Sequence, residues 1–424
     1  MNTNGNQGNL LNIQEKVIVV GVGLKSESLA EIKENLFELE ELVFSAGGEV
    51  VGSVLQILAQ WNPATLIGSG KAEEIRLMVE ELKASAVIFD HHLSGVQGRN
   101  LQNLFKVKVI DRNQLILDIF AQRAQTFEGK LQVELAQMLD QMPRMVDAWM
   151  GSLSRLGGGI GTRGPGETAL EIDRRRIRER VSLIKKKLES VRKNRAQHRS
   201  SRRRHEVPSF AMIGYTNSGK SSLLNRLTGS QVLVKNQVFA TLDPTTRKVF
   251  LPNGPMSVVT DTVGFIRKLP PQLIEAFKAT LEESAEADIL LHVIDLSSPS
   301  MHRQVEVVED LIHEFGWDKK IIIHVFNKVD IATVDMQFKV NKFPRVFVSA
   351  HTGQGLDQLK TLMTEKIGEL QMDTQLFFPK ASEYKIFDLS REALILKKEP
   401  NSEGTICYAQ LTANILSRWK EFLV

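Results

Sequence analysis

From Lys16 to about Arg123, short β-branched runs alternate with longer amphipathic stretches, the pattern of a β-α-β-α succession. Strands are predicted over 17–22, 49–54, 86–89 and 107–110, and helices over 27–45, 71–83, 96–105 and 113–121. Strands that alternate with helices build a parallel sheet covered by helices. A long helical stretch over 127–149 follows, with Pro143 expected to kink or break it, then a glycine-rich interruption and a second helix over 167–195. In that helix Ile177, Val181, Ile184, Leu188 and Val191 recur at spacings of four and three, one apolar stripe suited to an antiparallel helical pair. The tail 197–205 loses its apolar positions, and Pro208 marks a boundary.

A second βα alternation occupies 209–372, with strands expected over 210–213, 248–251, 257–260, 289–294, 321–326 and 346–348. Residues 374–424 carry short strand-like and helical pieces, enough for a small appended α+β domain. The expected divisions are a disordered 1–15, an α/β domain over 16–125 with a nucleotide-binding-like pattern, a helical arm over 126–205, a second α/β domain over 206–373, and 374–424. A length of 424 residues agrees with several domains rather than one enlarged core.

Charge changes the picture of the arm. The chain carries a net +4, yet residues 174–204 hold fifteen Lys or Arg against Glu179 and Glu189, a local +13 that leaves −9 for the rest. A basic element between acidic domains points to a polyanionic partner, most often nucleic acid. With Cys407 as the single cysteine, an intrachain disulfide or a cysteine-based zinc cluster is excluded. No run approaches the roughly 18 apolar residues of a membrane helix. The cytosol is the expected compartment, with partial membrane association as a second expectation.

The chemistry concentrates in 206–373. Gly214-Tyr215-Thr216-Asn217-Ser218-Gly219-Lys220-Ser221 fits G-x-x-x-x-G-K-[ST] between a predicted strand and a predicted helix. Glycines let backbone N–H groups wrap phosphates, Lys220 reaches the β and γ phosphates, and the Ser221 hydroxyl can ligate Mg²⁺. Asp261-Thr262-Val263-Gly264 closes the next core strand, placing a carboxylate to hold Mg²⁺ through water and a glycine N–H at the γ-phosphate. Asn327-Lys328-Val329-Asp330 closes another. The Asp330 carboxylate can accept from both N1–H and N2–H₂ of guanine, donors that adenine lacks in that arrangement, while Asn327 and Lys328 brace loop and ring. GTP is therefore expected over ATP. Ser349, Ala350 and His351 follow a strand, where a backbone N–H could meet guanine O6.

These elements, in this order, resemble those of the TRAFAC GTPases, and the spelling of the loops resembles the HflX family of the Obg–HflX group over nearly the whole chain. The resemblance implies that Phe239-Ala240-Thr241-Leu242-Asp243 is switch I, with Thr241 the second protein ligand of Mg²⁺; by spacing alone Thr245 and Thr246 are rivals. Lys220, Thr241 and Gly264 would then act at the reacting phosphate. The stretch 157–167 is similar to that family's loop between two helices. The implied fold is a multidomain α/β protein: an N-terminal βα parallel-sheet domain, a helical-pair arm, a P-loop GTPase domain and a small C-terminal α+β domain. The implied activity is a GTPase, acting as a monomer, that binds the large (50S) ribosomal subunit and its rRNA and splits stalled or idle 70S ribosomes. A subunit-assembly factor timed by GTP, and an RNA-remodelling enzyme with ATP bound in 16–125, are the alternative readings. Phe265 stands where Ras-like enzymes place a water-orienting Gln, so unassisted hydrolysis is expected to be slow. Asn217 is a candidate ligand for K⁺ beside the phosphates.

Three further patterns carry plainer expectations. Gly68-Ser69-Gly70-Lys71 lacks the spacing of a second phosphate loop, Gly21-Val22-Gly23 reads as a tight turn, and Asp90-His91-His92 reads as a polar loop.

Overall fold

A computed structural model describes residues 14–153, 165–204, 207–229, 239, 244–252, 254–268, 273, 284–370 and 372–424. The chain divides into two compact units, Met1–Gln122 with Ala136–Val181, and Arg123–Leu135 with Ser182–Val424.

In the first unit, β1 (Lys16–Leu24), β2 (Glu49–Leu58), β3 (Ala86–Phe89) and β4 (Lys108–Asp111) form a parallel sheet in the order β2-β1-β3-β4. Helices α1 (Leu29–Ser45), α2 (Ser69–Leu82), α3 (Gly95–Phe105) and α4 (Arg112–Arg123) alternate with the strands. Ile18, Val20, Val22, Val87 and Phe89 are buried with α2 and α3, while Val17 and Val19 point the other way by strand alternation and are also buried. Apolar residues on both faces are what a parallel sheet covered on both sides requires.

One expectation fails here. Gly21 and Gly23 lie inside β1, which runs on to Leu24, so they make no turn. A Cβ on Gly23 would overlap the Ile32 side chain, so this glycine admits the close approach of α1 to the strand. The polar loop 90–92 lies between β3 and α3 as expected, but its first residue is not solvated: Asp90 is buried, and Arg112, itself 1% exposed, pairs with Asp90 at 3.0 Å and with Glu38 at 2.6 Å. Asp111 accepts from the Leu93 amide at 2.9 Å and lies 3.0 Å from His92 Nδ1. Burial of such carboxylates is tolerable only with paired charge, and the pairing comes from α4, some twenty residues away. Gly68 precedes α2, its amide donating to Gln56 Oε1 at 3.1 Å.

Helix α5 (Phe127–Leu153) passes Pro143 without ending, so the expected break is absent. One interior proline costs about 3 kcal/mol, which the other turns of a 27-residue helix can offset. Helix α6 (Pro165–Arg204) continues nine residues past the expected end at Arg195. Its tail has no Gly or Pro before Pro208, and arginine is a good helix former even where no apolar stripe is present. Within the stripe Ile184 and Leu188 are buried and Ile177, Val181 and Val191 half-buried.

In the second unit, β5 (Ser209–Ile213), β6 (Thr245–Val249), β7 (Ser257–Asp261), β8 (Ile289–Asp295), β9 (Ile321–Asn327) and β10 (Arg345–Phe347) form one sheet in the order β10-β9-β8-β5-β7-β6. All neighbours are parallel except β6, which pairs antiparallel with β7 and starts three residues before the strand expected over 248–251. Helices α7 (Lys220–Thr228), α8 (Met301–Glu314), α9 (Val334–Phe338) and α10 (Leu356–Gly368) lie in the connections. The core joins Phe210, Val259, Leu291, Val325, Leu223 and Leu359. Parallel register sets Met212 beside Asp261 and Asp295 beside Asn327, so the chemically distinctive residues gather along one edge of the sheet. Finally, β11 (Met372–Pro379), β12 (Leu394–Pro400) and β13 (Gly404–Leu411) form an antiparallel sheet in the order β11-β13-β12, with α11 (Lys385–Glu392) and α12 (Ala413–Arg418). Cys407 is buried in its core.

Candidate functional site

The loop between β5 and α7 is shaped by two glycines. Gly214 has φ +150° and faces the Val293 carbonyl, and Gly219 has φ +91° and faces Asn327 Nδ2, leaving no room for a Cβ at either position. Asn217 also adopts a left-handed conformation, φ 60°, which Asn tolerates better than most residues. Lys220 opens α7 and is buried, its Nζ donating to the carbonyls of Gly214 at 3.0 Å and Tyr215 at 2.8 Å. Burial lowers its pKa to about 8, with the Asp261 charge opposing the shift. The ammonium is thus wrapped in its own loop, where polyanion phosphates would be strongly favoured.

Ser221 Oγ donates to Asp261 Oδ2 at 2.6 Å, bringing together a hydroxyl and a carboxylate forty residues apart. Hard oxygen donors of this kind suit Mg²⁺. Gly264 is pressed against the loop: an added Cβ would lie 3.0 Å from Lys220 Nζ and 2.9 Å from Thr216 Cα. Phe265 is zipped to the same loop, its amide donating to Gly214 O at 3.0 Å and its carbonyl accepting from Thr216 N at 2.7 Å. Its ring is buried. Tyr215 braces this junction, its hydroxyl accepting from the Arg267 amide at 3.0 Å, while Thr262 donates to the Met212 carbonyl at 2.6 Å.

Asn327 is 1% exposed and ties three segments together. Its Nδ2 donates to the Ser218 carbonyl at 2.9 Å, and its Oδ1 accepts from the Ala350 amide at 3.0 Å. That second bond uses one of the backbone N–H groups of the segment expected to meet guanine O6. Lys328, at φ 65°, pairs with Asp295 at 2.7 Å. Asp330 lines a cleft of about 740 Å³ with Gly219, Asn327, Lys328, Ala350 and His351. His351 Nδ1 stands 3.9 Å from the Asp330 carboxylate. Val329 and Val263 are buried instead, Val329 in a core with Phe326 and Met301.

Of the switch I residues, Phe239 is buried with φ 57°, whereas Ala240, Thr241, Leu242 and Asp243 lie outside the described residues, as do 157–164 of the glycine-rich stretch. Thr246 shares a 2.9 Å hydrogen bond with Thr260, and Thr245 stands opposite Asp261 across β6 and β7. Arg226, Asn225 and Ile331 also line the cleft. No motif singles them out; the period of α7 places 222, 225 and 226 on one face.

Three family models match in succession: one described as GTP-binding GTPase N-terminal over 33–121, one as GTP-binding GTPase Middle Region over 123–202, and one as 50S ribosome-binding GTPase over 209–328. Among curated relatives, a protein named GTPase HflX from Lacrimispora saccharolytica is 45% identical over 96% of each chain. Another of that name from Caldanaerobacter subterraneus subsp. tengcongensis is 44% identical over 97% of this chain and 94% of its own. The Escherichia coli (strain K12) protein of that name is 46% identical over 80% of this chain and 81% of its own.

Proposed function

The chain belongs to the HflX family of GTPases, and from that premise we propose that it binds the 50S subunit and separates 70S ribosomes when charged with GTP. Hydrolysis of GTP to GDP and phosphate is the family's reaction. In the proposed assignment the phosphates lie along 214–221, and guanine lies in the cleft over Asp330. Water attacks the γ-phosphorus in line; the bond to the β–γ bridging oxygen breaks, its electron pair leaves with GDP, and the water's proton ends on phosphate. Lys220 and the loop amides stabilise the charge that builds on the transferred oxygens. Gly264 N–H is the contact that distinguishes GTP from GDP. Ser221, Asp261 through water and Thr241 of switch I would hold Mg²⁺, which would supply charge neutralisation to the triphosphate. Asn217 offers a neutral amide oxygen to K⁺, a role that predicts faster hydrolysis in K⁺ than in Na⁺.

Buried Phe265 can orient no water by hydrogen bonding, which supports a reaction accelerated by the partner. The observation that carries the ribosomal reading is the arm. Helix α6 extends about 60 Å at 1.5 Å per residue, and along it Arg175, Arg176 and Lys193 project to solvent, each more than 70% exposed. A long rod of local +13 on an otherwise acidic chain suits rRNA phosphates. No helix among the described residues is long and apolar enough to cross a membrane.

Sedimentation of 70S ribosomes through sucrose gradients with the protein and GTP, a non-hydrolysable GTP analogue, GDP or ATP tests the proposal. Subunits should appear with GTP and its analogue. Binding to free 50S without loss of 70S favours the assembly-factor reading, and activity with ATP favours a nucleotide site in the N-terminal domain.

A further inference from the structure

The loop that follows β10 is self-contained: the Gly353 amide donates to Ser349 O at 2.8 Å, the Ser349 amide to Gln354 O at 3.0 Å, and the Thr352 amide to Ser349 Oγ at 3.0 Å. Its attachment to the rest of the site is made by side chains from outside. Asn327 takes the Ala350 N–H. Arg226 takes the carbonyl of the same residue, Nε donating to Ala350 O at 3.1 Å, and also the next one, Nη2 donating to His351 O at 2.6 Å. Both polar groups of the Ala350 backbone are thereby fixed.

Arg226 belongs to α7, which opens with Lys220 and Ser221 at the phosphate end of the cleft. One helix therefore holds phosphate-binding groups at its start and, a turn and a half later, a two-pronged clamp on the base loop. A planar guanidinium can hold two carbonyls at once, whereas an ammonium is a single point of charge.

We propose that Arg226 is a positioning residue that sets how long guanine nucleotide resides, by holding the 349–351 loop in place over the base. The inference rests on the assignment of guanine to this cleft. Losing the clamp frees the loop to move off the base without touching Lys220, Ser221 or Gly264, so the loss falls on binding.

The test uses the full-length protein and stopped-flow release of fluorescently labelled GDP from wild type, Arg226→Ala, Arg226→Gln and Arg226→Lys, with steady-state GTP hydrolysis alongside. Release should accelerate roughly tenfold in the Ala and Gln variants, in line with the loss of charge-assisted hydrogen bonds, and less in the Lys variant. KM for GTP should rise with it, without a fall in kcat. Wild-type release rates in folded Ala or Gln variants, or a drop in kcat as large as the rise in KM, would overturn the assignment. If the Ala variant does not fold, the Gln and Lys variants decide by the same criterion. Should Asp330→Asn leave guanine affinity unchanged, the base site itself is misplaced; should it abolish affinity while Arg226→Ala has no effect, only the clamp is refuted.

Discussion

Asn327 Nδ2 donates to the Ser218 carbonyl at 2.9 Å, a bond spanning 109 residues that ties the segment facing the base to the loop facing the phosphates. The neighbouring Gly219 leaves space for this amide only because it lacks a Cβ. Gly219→Ala would displace Asn327 and strain a left-handed φ, which costs about 1 kcal/mol before any clash. Guanine nucleotide affinity should fall by at least tenfold, a change read by titration with a fluorescent nucleotide, while the melting temperature of the nucleotide-free protein shifts by only a few degrees.

Lys220 supplies a proton signature of binding. Its pKa of about 8 is depressed by burial, and a triphosphate beside it would raise that value. Nucleotide binding near pH 8.5 should therefore take up about three-quarters of a proton, and at pH 6.5 almost none from this group. Calorimetry in buffers of different ionisation enthalpy measures the uptake; an enthalpy independent of buffer at pH 8.5 would contradict it.

Much of this site is legible in the sequence, because the phosphate loop, Asp261 and Asn327 each sit where a core strand ends, and alternation of apolar residues locates strand ends well. Side-chain bonds between distant segments are less legible. Nothing local marks Arg226 as a partner of residues 350 and 351, or Arg112 as the cation that permits Asp90 to be buried. The same gap misreads Gly23, whose constraint comes from Ile32 on a separate element rather than from a turn. The end of α6 is missed for a different reason: apolar periodicity marks a helix only where it carries an apolar stripe, and the sequence after Arg195 carries none.

A pH dependence of stability follows from the histidines in the central sheet. His292 and His324 are register partners on β8 and β9, their rings 5.6 Å apart. Burial, followed by the neighbouring His324, Lys220 and Lys342 charges, lowers the His292 pKa to about 3; burial also lowers that of His324. A depressed folded-state pKa gives stability that is intact above the unfolded value near 6.5 and is lost as pH falls toward 3. His292 contributes a slope of up to about 1.4 kcal/mol per pH unit in that window, and the lowered pKa of His324 acts in the same direction. Urea unfolding between pH 7 and 5 should show stability falling with acid, and His292→Phe should remove about one proton's share of the slope. An unaltered slope in that variant would refute the assignment to His292.

The most direct test of the nucleotide site is the preference of Asp330→Asn for guanosine against xanthosine triphosphate, measured as kcat/KM for hydrolysis of each. An amide in place of the carboxylate loses one acceptor for the guanine N1–H and N2–H₂ pair and gains a donor for the xanthine 2-carbonyl. The account predicts that GTP hydrolysis falls by at least a hundredfold while XTP hydrolysis rises to become the preferred reaction. Unchanged kcat/KM for GTP in the folded variant would contradict it.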